Sequence, residues 1–131
     1  MDNKDKIQIF KPFGPSIGKF EVEKDILEKI NNYVDKLAQD DEKTSKLDAG
    51  RSLAGQVTQE INFEKEFSEN FIIPSLVKAI KTYIFANTQK KISKHTFENI
   101  WVVRQFENEY NPVHYHSSHI SGVGYLKVPE N

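Results

Sequence analysis

Asn111-Pro-Val-His-Tyr-His-Ser-Ser-His-Ile-Ser-Gly-Val-Gly-Tyr-Leu-Lys-Val-Pro129 places a histidine cluster ahead of a run of small and apolar residues. Three of the chain's four histidines fall in it, at His114, His116 and His119. His114 and His116 are two residues apart. On an extended strand that spacing sends both imidazoles to one face, with Val113 and Tyr115 on the other. Two imidazoles side by side form part of a first-row transition-metal site, which a ligand from elsewhere must close. The pattern predicts a strand through His114 and His116, a short polar turn, and a second strand over residues 120–128, antiparallel to the first. A polar hairpin with solvated histidines fits the same spacing, so His-x-His by itself leaves both readings open.

Working outward, residues 107–112 (Glu-Asn-Glu-Tyr-Asn-Pro) read as a turn. Residues 97–106 read as the strongest strand, with Ile100, Trp101, Val102 and Val103 an apolar run covered on both faces. Trp101, the sole tryptophan, is expected in the seam between helices and sheet. Residues 87–94 form a polar turn in which Lys90, Lys91 and Lys94 suit a helix C-terminus. His95 stands alone and reads as a surface residue. Phe63, Phe67 and Phe71 repeat at i, i+4 and i+8, and Leu76, Val77, Ile80, Tyr83 and Ile84 continue the helical stripe. Pro74 predicts a kink there, or two abutting helices, because proline gives no donor to the preceding turn.

Residues 53–61 contain a strand-like run. Residues 39–51 are highly charged and read as a mobile connection. Residues 25–38 carry Ile26, Leu27, Ile30, Tyr33, Val34 and Leu37 on one helical face, with Asp25 as the expected N-cap. The other face, Glu28, Lys29, Asn31, Asp35 and Lys36, reads as solvated surface. Short strands are expected over residues 7–10 and 17–22, separated by a Pro12, Gly14, Pro15 turn, with Ile17 and Phe20 as anchors.

Composition narrows the class. At 131 residues there is room for one core. A formal net charge of −1 carries no electrostatic footprint for nucleic acid. Without cysteine there is neither a disulfide framework nor a zinc–thiolate site. Met1-Asp-Asn-Lys-Asp-Lys is too polar for a signal peptide, and no apolar run approaches a membrane span. The expectation is a soluble, cytoplasmic protein. Helices placed before a run of antiparallel strands predict the α+β class.

The run from His114 to Pro129, with Ser-Gly-Val-x-Tyr-Leu-x-Val-Pro after the histidines and Asn99-Ile-Trp-Val-Val and Asn111 upstream, resembles the iron(II)/2-oxoglutarate-dependent oxygenases. Within them it is most similar to the prolyl-hydroxylase-like double-stranded β-helix proteins. The match covers residues 97–129, with a looser fit of the N-terminal layout. The resemblance implies a jelly roll buttressed by N-terminal helices, with iron(II), 2-oxoglutarate and ascorbate in use. His114 matches the first iron ligand. His116 stands where most of the superfamily places Asp, which implies a three-His site or a water in that position. Tyr125 and Ser121 match contacts to the distal carboxylate of 2-oxoglutarate. His119 is expected in the turn or as a hydrogen-bonding neighbour of a ligand.

Ser117 departs from the proline that often follows the second His. The family's last His and its Arg come from strands further downstream than Asn131. The expectation is therefore a single domain that is the N-terminal portion of a longer oxygenase domain, inactive or weak by itself. About five or six strands against the eight of a whole jelly roll leave an open edge through which copies can associate. The substrate, a small molecule or a protein, would be chosen by loops without diagnostic residues. Two alternatives stand beside this reading. A cupin shares His-x-His but has a Glu four or five residues after the second His, where this chain has Ile120 and Ser121. A metal-free jelly-roll module, for binding or for structure, needs neither ligand.

Overall fold

The computed structural model describes residues 7–50 and 53–130. The polar N-terminal hexapeptide and the Arg51-Ser52 end of the charged stretch lie outside the described residues. In order, the elements are β1 (Gln8–Phe10), β2 (Ile17–Lys19), α1 (Lys24–Leu37), α2 (Asp41–Lys46), β3 (Gln59–Asn62), α3 (Lys65–Phe67), a π-turn (Ser68–Ile72), α4 (Ile73–Thr88) and β4 (Trp101–Arg104). Helices and two small sheets make this an α+β chain. β1 pairs with β2 and β3 with β4, both antiparallel.

The core forms where α1 crosses the β3–β4 pair. Ile61 and Val102 are directly opposite in the register, so both project to one face of the ribbon. There they meet Ile30, Val34 and Leu37, which α1 presents at helical spacing. Ile26, Tyr33, Leu47 and the Phe63, Phe67, Phe71 row close around them. The Tyr33 and Phe67 rings stack with centroids 3.8 Å apart. α1 starts two residues earlier than an Asp25 cap would place it. Glu23 is the N-cap and makes no side-chain bond, while Asp25 sits inside the first turn, where its charge suits the dipole.

The polar face of α1 does more than meet water. Asn31 donates to the Leu126 carbonyl at 3.1 Å, Asp35 pairs with Lys127 at 2.8 Å, and Lys29 lies over the Phe71 ring at 4.0 Å. The charged connection is also built. α2 occupies its middle, capped by Asp40, whose side chain accepts from Lys43 N. Asp48 then bridges to Ile61, and Ala49 N donates to Glu60 O at 2.7 Å. Six helical residues were hidden in the sequence because none is buried, so no apolar period marks them.

Pro74 is accommodated without a break. It occupies the first turn of α4, and the wide π-turn immediately before it absorbs the backbone group that proline cannot bond. α4 itself buries none of its residues fully. The β1–β2 hairpin lies against it, Tyr83 Oη donating to Ser16 O at 2.6 Å. Gly18 permits that approach, since a Cβ there would stand 2.5 Å from the Tyr83 ring. Ile17 and Phe20, expected as anchors, are exposed: this short hairpin meets its helix through Gly18 and Ser16 instead. The helix ends at Thr88, with Gln89 left-handed at φ 58°, so the lysines at 90, 91 and 94 follow the helix rather than ending it.

Beside the core, Tyr33 Oη donates to Glu64 Oε2 at 2.6 Å, and Lys43 pairs with the same carboxylate at 2.9 Å. Burial, reinforced by that bond to Glu64, pushes the Tyr33 phenol up to about 12. The folded state thus keeps a proton that the unfolded chain loses near its ordinary value of 10.0. Its stabilising contribution is complete below pH 10 and disappears as pH rises through 12. An ultraviolet titration of phenolate should show one of the five tyrosines lagging the rest, and Tyr33→Phe should remove the lagging component. No helix among the described residues is long and apolar enough to cross a membrane.

Candidate metal centre

β4 delivers the chain toward the histidines through a turn at Glu107 and Asn108, where Asn108 is left-handed at φ 66°. Glu109 secures this turn. Its carboxylate accepts from Thr58 N and Phe106 N, each at 2.8 Å, and these bonds, with the Thr58 hydroxyl foremost, hold it below the usual carboxylate range. Tyr110 then forms an isolated bridge with Gln56. Asn111 lies against Gly55, where any Cβ would collide with its Oδ1. The histidine segment therefore starts from a fixed base.

From that base the two imidazoles converge. His114 Nδ1 is 2.7 Å from the Pro112 carbonyl, and a carbonyl can only accept. Nδ1 therefore carries the hydrogen, and in the neutral ring Nε2 keeps its lone pair. His114 Nε2 lies 3.1 Å from His116 Nε2, so His116 is the donor of that bond. A metal ion can take the place of the shared proton. With each nitrogen at the usual 2.0–2.1 Å from the ion, a 3.1 Å separation subtends an angle of about 95–100°. That is close to the cis relation in an octahedral site. Trp101 of β4 packs beside His116, centroids 5.8 Å apart, and limits its swing. It does this from a half-buried position on β4.

The pair fits part of a metal site. No group of three or more His, Cys, Asp or Glu able to hold an ion occurs among the described residues. His119 is exposed in the bend and, among the described residues, has no hydrogen-bond partner. Ser121 and Tyr125 lie on exposed coil, Tyr125 being 77 % accessible, and neither side chain bonds to another described residue. The strands expected through His114–His116 and over 120–128 are absent from the described structure: these residues are coil and bends. The physical reason is local. Gly122 and Gly124 give the second segment little to pack, and a lone hairpin without a third strand is marginal in water. The strand expected over residues 97–106 likewise shortens to β4, where only Val102 is buried, because β3 offers four residues to pair with.

Sequence reasoning passed over Glu60. Only 3 % of it is exposed, and its Oε2 has no hydrogen-bond partner among the described residues. Burial first, and the Asp48 carboxylate second, push its pKa above the usual value, while His114 opposes them. The available signal was Gly50 and Gly55, glycines flanking a strand that mark close approach. In the metal-free chain the folded state binds the Glu60 proton more tightly than the unfolded state does. Stability therefore falls as pH rises above the ordinary glutamate range. Glu60→Gln, which removes the titrating carboxylate and replaces one of its oxygens with an N–H donor, should flatten that slope. At neutral pH it should stabilise the chain by about 1 kcal/mol, read from urea unfolding at several pH values.

With the fold and this geometry in view, no protein-family model, no curated protein and no solved structure matches the chain.

Proposed function

We propose that the chain is the metal-binding front of an iron(II)/2-oxoglutarate-dependent oxygenase of the double-stranded β-helix class. One observation carries this reading: His114 and His116 turn their Nε2 atoms to within 3.1 Å of each other, with His114 Nδ1 held by Pro112 O. An imidazole whose far nitrogen is fixed by a hydrogen bond is oriented, and its tautomer set, for ligation. When bound, iron(II) with 2-oxoglutarate and dioxygen would supply decarboxylation of the 2-oxo acid to succinate and carbon dioxide coupled to hydroxylation of a C–H bond, one oxygen atom going to succinate and the other to the substrate.

The chain's own residues orient and restrict. His114 and His116 hold two adjacent positions, and Trp101 keeps His116 turned toward its partner. Tyr125 and Ser121 carry the hydroxyls proposed to hydrogen-bond the distal carboxylate of 2-oxoglutarate. Val113, Tyr115, Val123, Tyr125 and Val128 are all exposed. The alternation of Val113 with Tyr115 and of Val123 with Tyr125 supports the proposal that residues 113–128 pair with further strands of a jelly roll, from which a third ligand and a carboxylate-binding Arg would come. A charge-assisted hydrogen bond contributes about 1.5–3 kcal/mol, so lacking that Arg alone weakens 2-oxoglutarate by roughly one to two orders of magnitude.

Succinate release with iron(II), ascorbate and 2-oxoglutarate tests the proposal. Residues 1–131 should show none, whereas a chain extended by the downstream strands should turn over slowly without substrate. An extended chain that binds iron yet makes no succinate with any of a panel of substrates would favour a binding module.

A further inference from the structure

A second site lies beneath the histidine segment. Glu60 points away from the core, because its neighbour Ile61 points into it. The loop after α2 folds over the carboxylate, and two glycines make room for it. A Cβ at Gly50 would stand 3.2 Å from Asp48 Oδ1 and 3.8 Å from Glu60 Oε2. A Cβ at Gly55 would stand 2.6 Å from Glu60 Oε1 and overlap Asn111 Oδ1. Four side-chain oxygens thus surround two positions that hold no side chain. Glu60 Oε2 is buried there without a hydrogen-bond partner among the described residues. A solvent-filled cleft bordered by Asp41, Thr44, Asp48, Thr58 and Glu60 reaches the two carboxylate residues.

A buried carboxylate beside a second carboxylate must be neutralised, by a proton or by a cation. We propose that Asp48, Glu60 and Asn111 bind a hard divalent cation of the calcium class, which fastens residues 48–50 and Gly55 to β3 and to the base of the histidine segment. Carboxylate and amide oxygens without nitrogen or sulfur are what such an ion prefers, and water entering by the cleft completes its six to eight ligands. With two carboxylates, affinity falls at the weak end, a dissociation constant of about 10⁻⁴–10⁻³ M. The site is separate from the imidazole pair, since calcium does not favour nitrogen ligands.

The test is the melting temperature of the 131-residue chain in chelator against calcium chloride. Calcium at ten times its dissociation constant should raise Tm by about 4–8 °C. Glu60→Gln and Asp48→Asn should each abolish the calcium response, and His114→Ala should keep it. Should Glu60→Gln not fold, Asp48→Asn carries the same comparison. No calcium response in the unmodified chain would assign the site to a proton and overturn the proposal. A calcium response that survives both substitutions would overturn it as well.

Discussion

Ile61→Ala lowers the free energy of unfolding by about 2–5 kcal/mol, the range for deleting a buried Ile in a packed core. Ile61 is 1 % exposed, the least accessible large side chain of the core. It stands opposite Val102 on β3–β4 and faces Ile30, Val34 and Leu37 of α1. Each neighbour sits on regular secondary structure, so little of the cavity can collapse and the cost falls toward the upper part of the range. Domains of this size have about 5–15 kcal/mol in total, so the variant should be partly unfolded at 37 °C. Urea denaturation followed by Trp101 fluorescence measures it. An exposed counterpart, Ile17→Ala, should change stability by less than about 0.5 kcal/mol.

That core was legible because its signals are local. Residues 25–38 have one apolar face, and α1 covers Lys24–Leu37. Val102 sits in the apolar run read as a strand, and the Phe63, Phe67, Phe71 row repeats at helical spacing. What the sequence hid depends on tertiary contact. α2 has no apolar stripe to announce it. Asn31 and Asp35 look like any solvated face until Leu126 and Lys127 come back to them. The burial of Glu60 arises from a loop folding over a strand, which only Gly50 and Gly55 foreshadow. For residues 113–128 the alternation reads as strand, yet a strand needs a neighbour for its hydrogen bonds, and periodicity does not supply one.

The second large effect belongs to the histidine pair. His114→Ala should lower affinity for a divalent first-row metal by more than about a hundredfold, since losing even an outer hydrogen-bonding partner of a ligand costs about 10–100-fold. His116→Ala should weaken binding to a similar degree, and His119→Ala hardly at all. Affinity should fall on acidification in the unmodified chain, because imidazoles must shed protons before they ligate. Calorimetric titration with cobalt(II), at constant ionic strength and in excess calcium to occupy oxygen sites, separates these variants. Equal affinities across all three would remove His114 and His116 from the site.

Sharing of one ion by the two facing Nε2 atoms is read directly by imidazole nitrogen NMR. In a long-range proton–nitrogen spectrum recorded during titration with diamagnetic zinc(II), the Nε2 signals of His114 and His116 should shift together and saturate at one equivalent. His114 Nδ1 should remain protonated throughout, held by the Pro112 carbonyl. Nε2 signals of the two residues that shift at different zinc concentrations, or that stay in place while His95 or His119 responds, would contradict the account.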